Sequence, residues 1–122
     1  MVLVIDDEAA LREVVEEILE LSDIRCLLAA NGSEGVQLFA QNQSVIDAVL
    51  LDMQMPVMSG GETLRELRKL SPTVQIVLMS GYPESSTMEK FRGDSHLSYL
   101  EKPFTLEKLT LKMEELTRSL RP

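Results

Sequence analysis

Five short apolar runs punctuate this chain, at residues 1–5, 25–30, 45–51, 74–79 and 97–100. Within each the apolar positions are nearly continuous rather than alternating, which suits strands buried on both faces of a sheet. Between them the spacing changes. Leu11, Val14, Val15 and Ile18 fall on one helical face, with Arg12, Glu13, Glu16 and Glu17 on the other. Ser33 is placed to cap a second helix with Val36, Phe39 and Ala40 inward, and Ser59 a third with Leu64, Leu67 and Leu70 inward, stopped before Ser71-Pro72. Residues 84–92 offer only Met88 and Phe91 as anchors, so a helix there is short and weakly held, with Gly93 ending it. The clearest period comes last: after Thr105 as cap, Leu106, Leu109, Met113, Leu116 and Leu120 line one side.

Strand and helix thus alternate five times with connections of ordinary length. Right-handed crossovers leave one main solution, an α/β domain with a five-stranded parallel, doubly wound sheet and helices on both faces. With 122 residues there is material for one core and not two, so residues 1–122 are expected to be a single domain. Such sheets bind ligands beyond the carboxyl ends of their strands, where the winding reverses.

The residues expected at that edge are charged. Asp6-Asp7 follow the first run, Asp52 the third, Ser80-Gly81 the fourth and, after Glu101, Lys102-Pro103 the fifth. Three carboxylates brought together repel one another and call for a cation, which makes this a divalent-metal and phosphoryl site. An acidic pair after a strand is often only favourable charge at a helix N-terminus, and Asp52 or Lys102 alone carries no message. Their joint placement at three strand ends carries the reading. In it Asp52 is the nucleophile toward phosphorus, with Mg²⁺ on Asp7 and Asp52 directly, on Asp6 through water and on the Gln54 carbonyl. Lys102 pairs with Asp52 before reaction and with a phosphoryl oxygen afterwards, while the Ser80 hydroxyl bonds another. An X-Pro bond has access to the cis form, and the sequence leaves the Lys102-Pro103 isomer open.

Composition narrows the partners. A net charge of −8 argues against direct nucleic-acid binding and against an anionic membrane surface. No run reaches the roughly 20 apolar residues a membrane helix needs. The first strand starts at the first residue, leaving no expected signal peptide, and the lone Cys26 fits a reducing compartment, so a cytoplasmic location is expected. Cys26 reads as a small buried thiol and His96, without a second ligand, as structural. Most of the seven methionines read as core, with Met53, Met55 and Met58 partly exposed around the site loop. Tyr99 is a core aromatic or a mobile switch, and Tyr82 leans over the site or is solvated.

Taken in order, Val4-Ile5-Asp6-Asp7-Glu8, Leu51-Asp52-Met53-Gln54-Met55-Pro56, Gly60, Met79-Ser80-Gly81 and Lys102-Pro103-Phe104 resemble the receiver domain of bacterial two-component response regulators, over nearly the whole chain. The resemblance implies a flavodoxin-like strand order 2-1-3-4-5. It also implies Mg²⁺-dependent phosphorylation of Asp52 by a histidine kinase or histidine phosphotransfer protein. Ser80 would move toward the phosphate and Tyr99 turn inward, changing the face made by the fourth helix, fifth strand and fifth helix. Ser80 stands where threonine is commoner, and residues 84–96 lack the usual alanine-rich pattern. The segments around Ser80 and Lys102 look like receivers fused to hybrid sensor kinases, with a stand-alone regulator as the other form. A kinase or output module is expected outside this chain, which itself is expected as a monomer or a weak phosphorylation-dependent dimer.

Two other functions compete. A Mg²⁺-dependent phosphohydrolase with an aspartyl nucleophile resembles a pattern in which Asp-x-Asp ends the first strand beside a cap domain; here the acids are adjacent and no cap fits. A pseudo-receiver that only docks partners would have lost an acid or the lysine, and none is lost.

Overall fold

A computed structural model describes residues 1–55 and 58–120, and within them all side chains but those of 86, 87, 117, 119 and 120. The elements run β1 (Val2–Ile5), α1 (Ala9–Leu21), β2 (Cys26–Ala29), α2 (Gly32–Gln41), β3 (Ala48–Asp52), α3 (Gly60–Leu70), β4 (Gln75–Ser80), α4 (Glu84–Met88), β5 (Leu97–Glu101) and α5 (Leu106–Leu120), with a 3-10 turn, Glu89–Phe91, after α4. The sheet order is β2-β1-β3-β4-β5, and every pairing is parallel. This is the expected doubly wound α/β fold.

The continuous apolar runs are explained by burial on two sides. Alternate residues point to opposite faces of a strand. Leu3, Ile5, Val49, Leu51, Ile76 and Leu78 join Phe39 of α2 and Leu64 and Leu67 of α3 in one core layer. Val2, Val4, Ala48, Leu50, Val77 and Met79 join Val15 and Leu19 of α1 and Leu109, Met113 and Leu116 of α5 in the other. A strand with a core on each side has no solvent face to mark with polar residues.

Several local expectations are corrected. Asn31, not Ser33, caps α2, its side-chain oxygen accepting from Glu34 N at 2.8 Å; Ser33 already lies inside the helix. Asn31-Gly32, which reads from the sequence as the turn leaving the second strand, is instead the cap and first residue of α2, and a Cβ at Gly32 would stand 2.1 Å from Thr63 Oγ1 of α3. Ala40 is exposed: Gly35 and Phe39, four apart, face the sheet, and Ala40 is rotated about 100° further round. Val45 and Ile46 do not extend β3, because their amides bond back to Asn42 O at 3.0 and 3.1 Å in a turn. Val14, Leu70 and Leu106 sit on or near their helices' apolar stripes but remain 38, 39 and 64% exposed, the latter two at helix ends. Leu19, absent from the predicted face of α1, is fully buried. The Leu120 side chain lies outside the described residues, as does Pro56 of the central motif.

Other expectations hold. Ser59 Oγ accepts from Glu62 N at 3.2 Å and Thr105 Oγ1 from Lys108 N at 3.1 Å, so both cap their helices. α4 is short, and Gly93, at φ +95°, ends the segment after it. Cys26, expected buried, is only half-buried, and burial beside Glu16 and Glu20 pushes its thiol up to about 11, which leaves it uncharged. His96 Nδ1 lies 3.1 Å from Gln75 Nε2, a structural contact. The segment that follows the 3-10 turn is tied down by Arg68 of α3. Its guanidinium grips Asp94 at 2.7 and 3.1 Å and donates to the carbonyls of Ser71, Val74 and His96, at 3.2, 2.7 and 3.1 Å. Asp94 is held below the usual carboxylate range: burial works against this, but the Arg68 hydrogen bonds, the His96 N–H and nearby positive charge outweigh it.

Candidate functional site

The carboxyl ends of β1, β3, β4 and β5 lie side by side, the first delivering two polar side chains and the others one each. β1 runs into Asp6, which is fully buried, and Asp7, which is exposed. Asp6 is pinned at several atoms. Its N–H donates to Ala29 O at 3.1 Å, its Oδ1 accepts from Glu8 N at 2.8 Å, and its carbonyl accepts from Arg12 Nη1 at 2.6 Å. Asp52, the last residue of β3, is 1% exposed and accepts from Gln54 N at 3.0 Å. One oxygen each from Asp6, Asp7 and Asp52 lies within 4.8 Å of the others.

Lys102 reaches this cluster from the residue after β5. Its N–H donates to Ser80 O at 2.6 Å, and the Lys102-Pro103 bond is cis. Its Nζ stands 3.3 Å from Asp52 Oδ1, 3.4 Å from Asp6 Oδ2 and 3.9 Å from Glu8 Oε1. One ammonium therefore faces two buried carboxylates, with Asp7 and Glu8 at the rim. The balance is negative, and the protonation energetics follow it. Burial first, and the Asp6 charge after it, push the Asp52 carboxyl up to about 6 against the Gln54 N–H and Lys102. Asp6 is raised too, mainly by burial, with the Glu8 N–H and Lys102 opposing. Burial works against the Lys102 ammonium, but Asp6 and Asp52 outweigh it and its pKa rises. The pocket is short of positive charge.

Ser80, last in β4, is fully buried, and its Oγ accepts from Tyr82 N at 3.1 Å. Tyr99 lies beneath it, 6% exposed, with its hydroxyl donating to Tyr82 O and, at 3.4 Å, to Ser80 O. Tyr99 is thus inward, at once core aromatic and tether of the β4–α4 loop. Tyr82 itself is 62% exposed. Met53, Met55 and Met58 are partly exposed as expected.

The structure brings Asp6, Asp7, Asp52 and Lys102 into one cluster and sets Ser80, Gln54 and Tyr99 around it. Three contributors escaped sequence reasoning. Arg12 anchors the Asp6 carbonyl from α1, and its place six residues on gave no signal. Glu8 adds a carboxylate at the rim, legible only as one more acid. The Gln54 side chain accepts from Gly81 N at 3.2 Å and so bridges the β3–α3 and β4–α4 loops. Gly60 has a reason beyond its motif: a Cβ there would stand 2.3 Å from Met53 Cα and 2.9 Å from Asp52 O, so only glycine lets α3 start against the site loop.

Comparison with known proteins points one way. The family model for the response regulator receiver domain matches residues 2–114. The chain is 36% identical over 123 residues to the response regulator MprA of Mycobacterium sp. (strain KMS), covering 99% of this chain and 52% of that protein. It is 32% identical over 115 residues to the sensor kinase CckA of Brucella abortus, covering 94% of this chain and 12% of that protein. The chain therefore spans between about an eighth and about half of these relatives. Among solved structures, a response regulator receiver domain protein from Clostridium thermocellum superposes with a TM-score of 0.83 at 29% identity, covering 98% of this chain and 94% of that one. The receiver domain of the hybrid histidine kinase CckA gives 0.78 at 25% identity, covering 94 and 96%.

Proposed function

The chain belongs to the response regulator receiver domain family, and on that premise we propose that it is a phosphoacceptor switch in which Asp52 takes a phosphoryl group from a histidine kinase or histidine phosphotransfer protein. The observation that carries this is the buried Asp52 carboxylate, 3.3 Å from Lys102 Nζ and within 4.8 Å of Asp6 and Asp7 oxygens.

The donor set suits Mg²⁺. It is all oxygen, partly buried and short of positive charge, and such an ion needs only one or two carboxylates because it keeps several waters. Asp7 and Asp52 would hold it directly, Asp6 through water, with the Gln54 carbonyl completing the protein side. When bound, it neutralises the phosphoryl oxygens during transfer.

The chain's own residues do the rest. An Asp52 oxygen attacks phosphorus, the bond from phosphorus to the donor's imidazole nitrogen breaks, and its electron pair returns to the ring. Lys102 leaves Asp52 for a phosphoryl oxygen as the negative charge moves outward, and Asp6 keeps it within reach. Ser80 exchanges its bond to Tyr82 N for one to the phosphoryl group. That frees the β4–α4 loop which Tyr99 tethers, giving a local charge change a route to the α4–β5–α5 face. The domain runs the length of the chain, works in the cytoplasm and turns over no small substrate of its own. A kinase or output module is supplied by the remainder of a longer protein or by a partner, and the chain is a monomer or a weak phosphorylation-dependent dimer.

Incubation with acetyl phosphate and Mg²⁺ is expected to add one phosphoryl group, stable in acid and labile in base, that maps to Asp52. Asp52→Asn removes it. Labelling that persists in Asp52→Asn would refute the assignment, and continuous hydrolysis of a phosphate ester without a labelled intermediate would favour a phosphohydrolase.

A further inference from the structure

Beside the carboxylate cluster lies a cavity of about 390 Å³ between the β3–α3 loop, the start of α3 and the 3-10 turn. Its volume falls within the range of small-molecule sites. Met53, Tyr82 and Phe91 supply apolar and aromatic walls, and Gln54 and Ser80 the polar wall shared with the Asp52 region. Two cations, Arg65 and Lys90, stand at its rim, and none of the lining residues carries a carboxylate. On a chain with 20 acidic and 12 basic residues this is a local inversion of charge.

Those two cations are also unspent. Their basic neighbours are committed: Arg68 to Asp94 at 2.7 Å, Lys69 to Glu66 at 3.1 Å and Arg92 to Glu89 at 3.6 Å. Among the described residues, neither the Arg65 nor the Lys90 side chain has a hydrogen-bond or ion-pair partner. Arg65 and Phe91 also line a second, shallower groove of about 450 Å³ toward Arg68 and Arg92, so the space continues along the basic face. Aromatic walls beside two free cations on an acidic protein match one ligand chemistry. It is a flat apolar body bearing an anionic group.

We propose that this cavity binds a small aromatic anion, its ring between Tyr82 and Phe91 and its charge paired with Arg65 and Lys90. Binding here needs no metal and no chemistry at Asp52, so it stands or falls separately from the phosphoacceptor reading.

The test is a ¹⁵N–¹H titration of the whole chain at low salt without divalent ions, using phenyl phosphate as probe and inorganic phosphate and benzyl alcohol as controls. Phenyl phosphate is expected to shift the amides of Gly61, Arg65, Lys90 and Phe91 saturably. Phosphate, which lacks the ring, and benzyl alcohol, which lacks the charge, should each bind about tenfold more weakly or worse. The double variant Arg65→Gln, Lys90→Gln should lose at least about tenfold in affinity. Gly61→Leu offers an independent block. A Cβ at Gly61 meets only Phe91 Cζ at 3.9 Å and Ser59 Oγ at 4.0 Å, so a larger side chain enters the cavity without touching the backbone. Equal binding of the three probes, shifts centred elsewhere, an absence of saturable shifts, or full affinity in either variant would overturn the proposal.

Discussion

Replacing the Asp52 carboxylate should make the protein more stable at neutral pH. Asp52 is 1% exposed and its pKa rises from an ordinary 3.8 to about 6, so the native state prefers the protonated form. The sign follows: relative to the ionised unfolded chain, this preference favours the native state at low pH, and the benefit is lost as pH rises from about 4 through about 6. Above that, a shift of this size corresponds to about 3 kcal/mol held against folding. Asp52→Asn abolishes that cost and keeps an oxygen for Gln54 N, while Lys102 retains Asp6 at 3.4 Å and Glu8 at 3.9 Å. That shift is already net of the Lys102 attraction, so about 3 kcal/mol is the upper bound, and imperfect replacement of the carboxylate by the amide leaves about 1–3 kcal/mol at pH 7. For a domain of this size that is an increase in Tm of about 4–12 °C. The assay is thermal unfolding by circular dichroism at pH 4, 5, 6 and 7 without divalent ions. Wild type and variant should converge toward pH 4 and separate as pH rises, and added Mg²⁺ should narrow the gap at pH 7 by stabilising the wild type alone. A variant less stable than wild type at pH 7, or a difference independent of pH, would refute the electrostatic account of the pocket.

Two further predictions concern the framework. Gly60→Ala drives a Cβ into Met53 Cα at 2.3 Å, whereas Gly61→Ala, one residue on in the same helix, meets nothing closer than 3.9 Å. The first should cost about 2 kcal/mol or more through backbone displacement, and the second should stabilise by about 0.4–1 kcal/mol through the unfolded chain, both read from urea unfolding. Arg68→Ala should cost about 3–5 kcal/mol by leaving Asp94 partly buried without its cation and releasing three carbonyls. Hydrogen exchange should then quicken over residues 89–97 well before the rest of the sheet.

The sequence alone determined the fold class and which charged residues meet at one edge of the sheet. Strands with cores on both faces must be apolar throughout, and helices must be apolar on one side, so the alternation was written in the pattern itself. Asp6, Asp7, Asp52 and Lys102 were legible because parallel topology carries residues after different strands to one edge, whatever the details of packing. Helix ends were less legible. Asn31 rather than Ser33 caps α2, and Leu106 stays in solvent, because capping and cover depend on where the chain enters and on what lies opposite.

Only the tertiary structure decided what arises between distant segments. Arg68 finds Asp94 across 26 residues, Gln54 finds Gly81 across 27, and Gly60 is required by a backbone contact that no local pattern encodes. The raised pKa of Asp52 belongs to the same class, since burial and the charge of Asp6 exist only once the sheet has formed. The same holds for the cavity beside which, among the described residues, the Arg65 and Lys90 side chains stand unpaired. Spacing along a chain specifies faces and edges, whereas desolvation, clashes and ion pairing depend on distances in space, which folding alone sets.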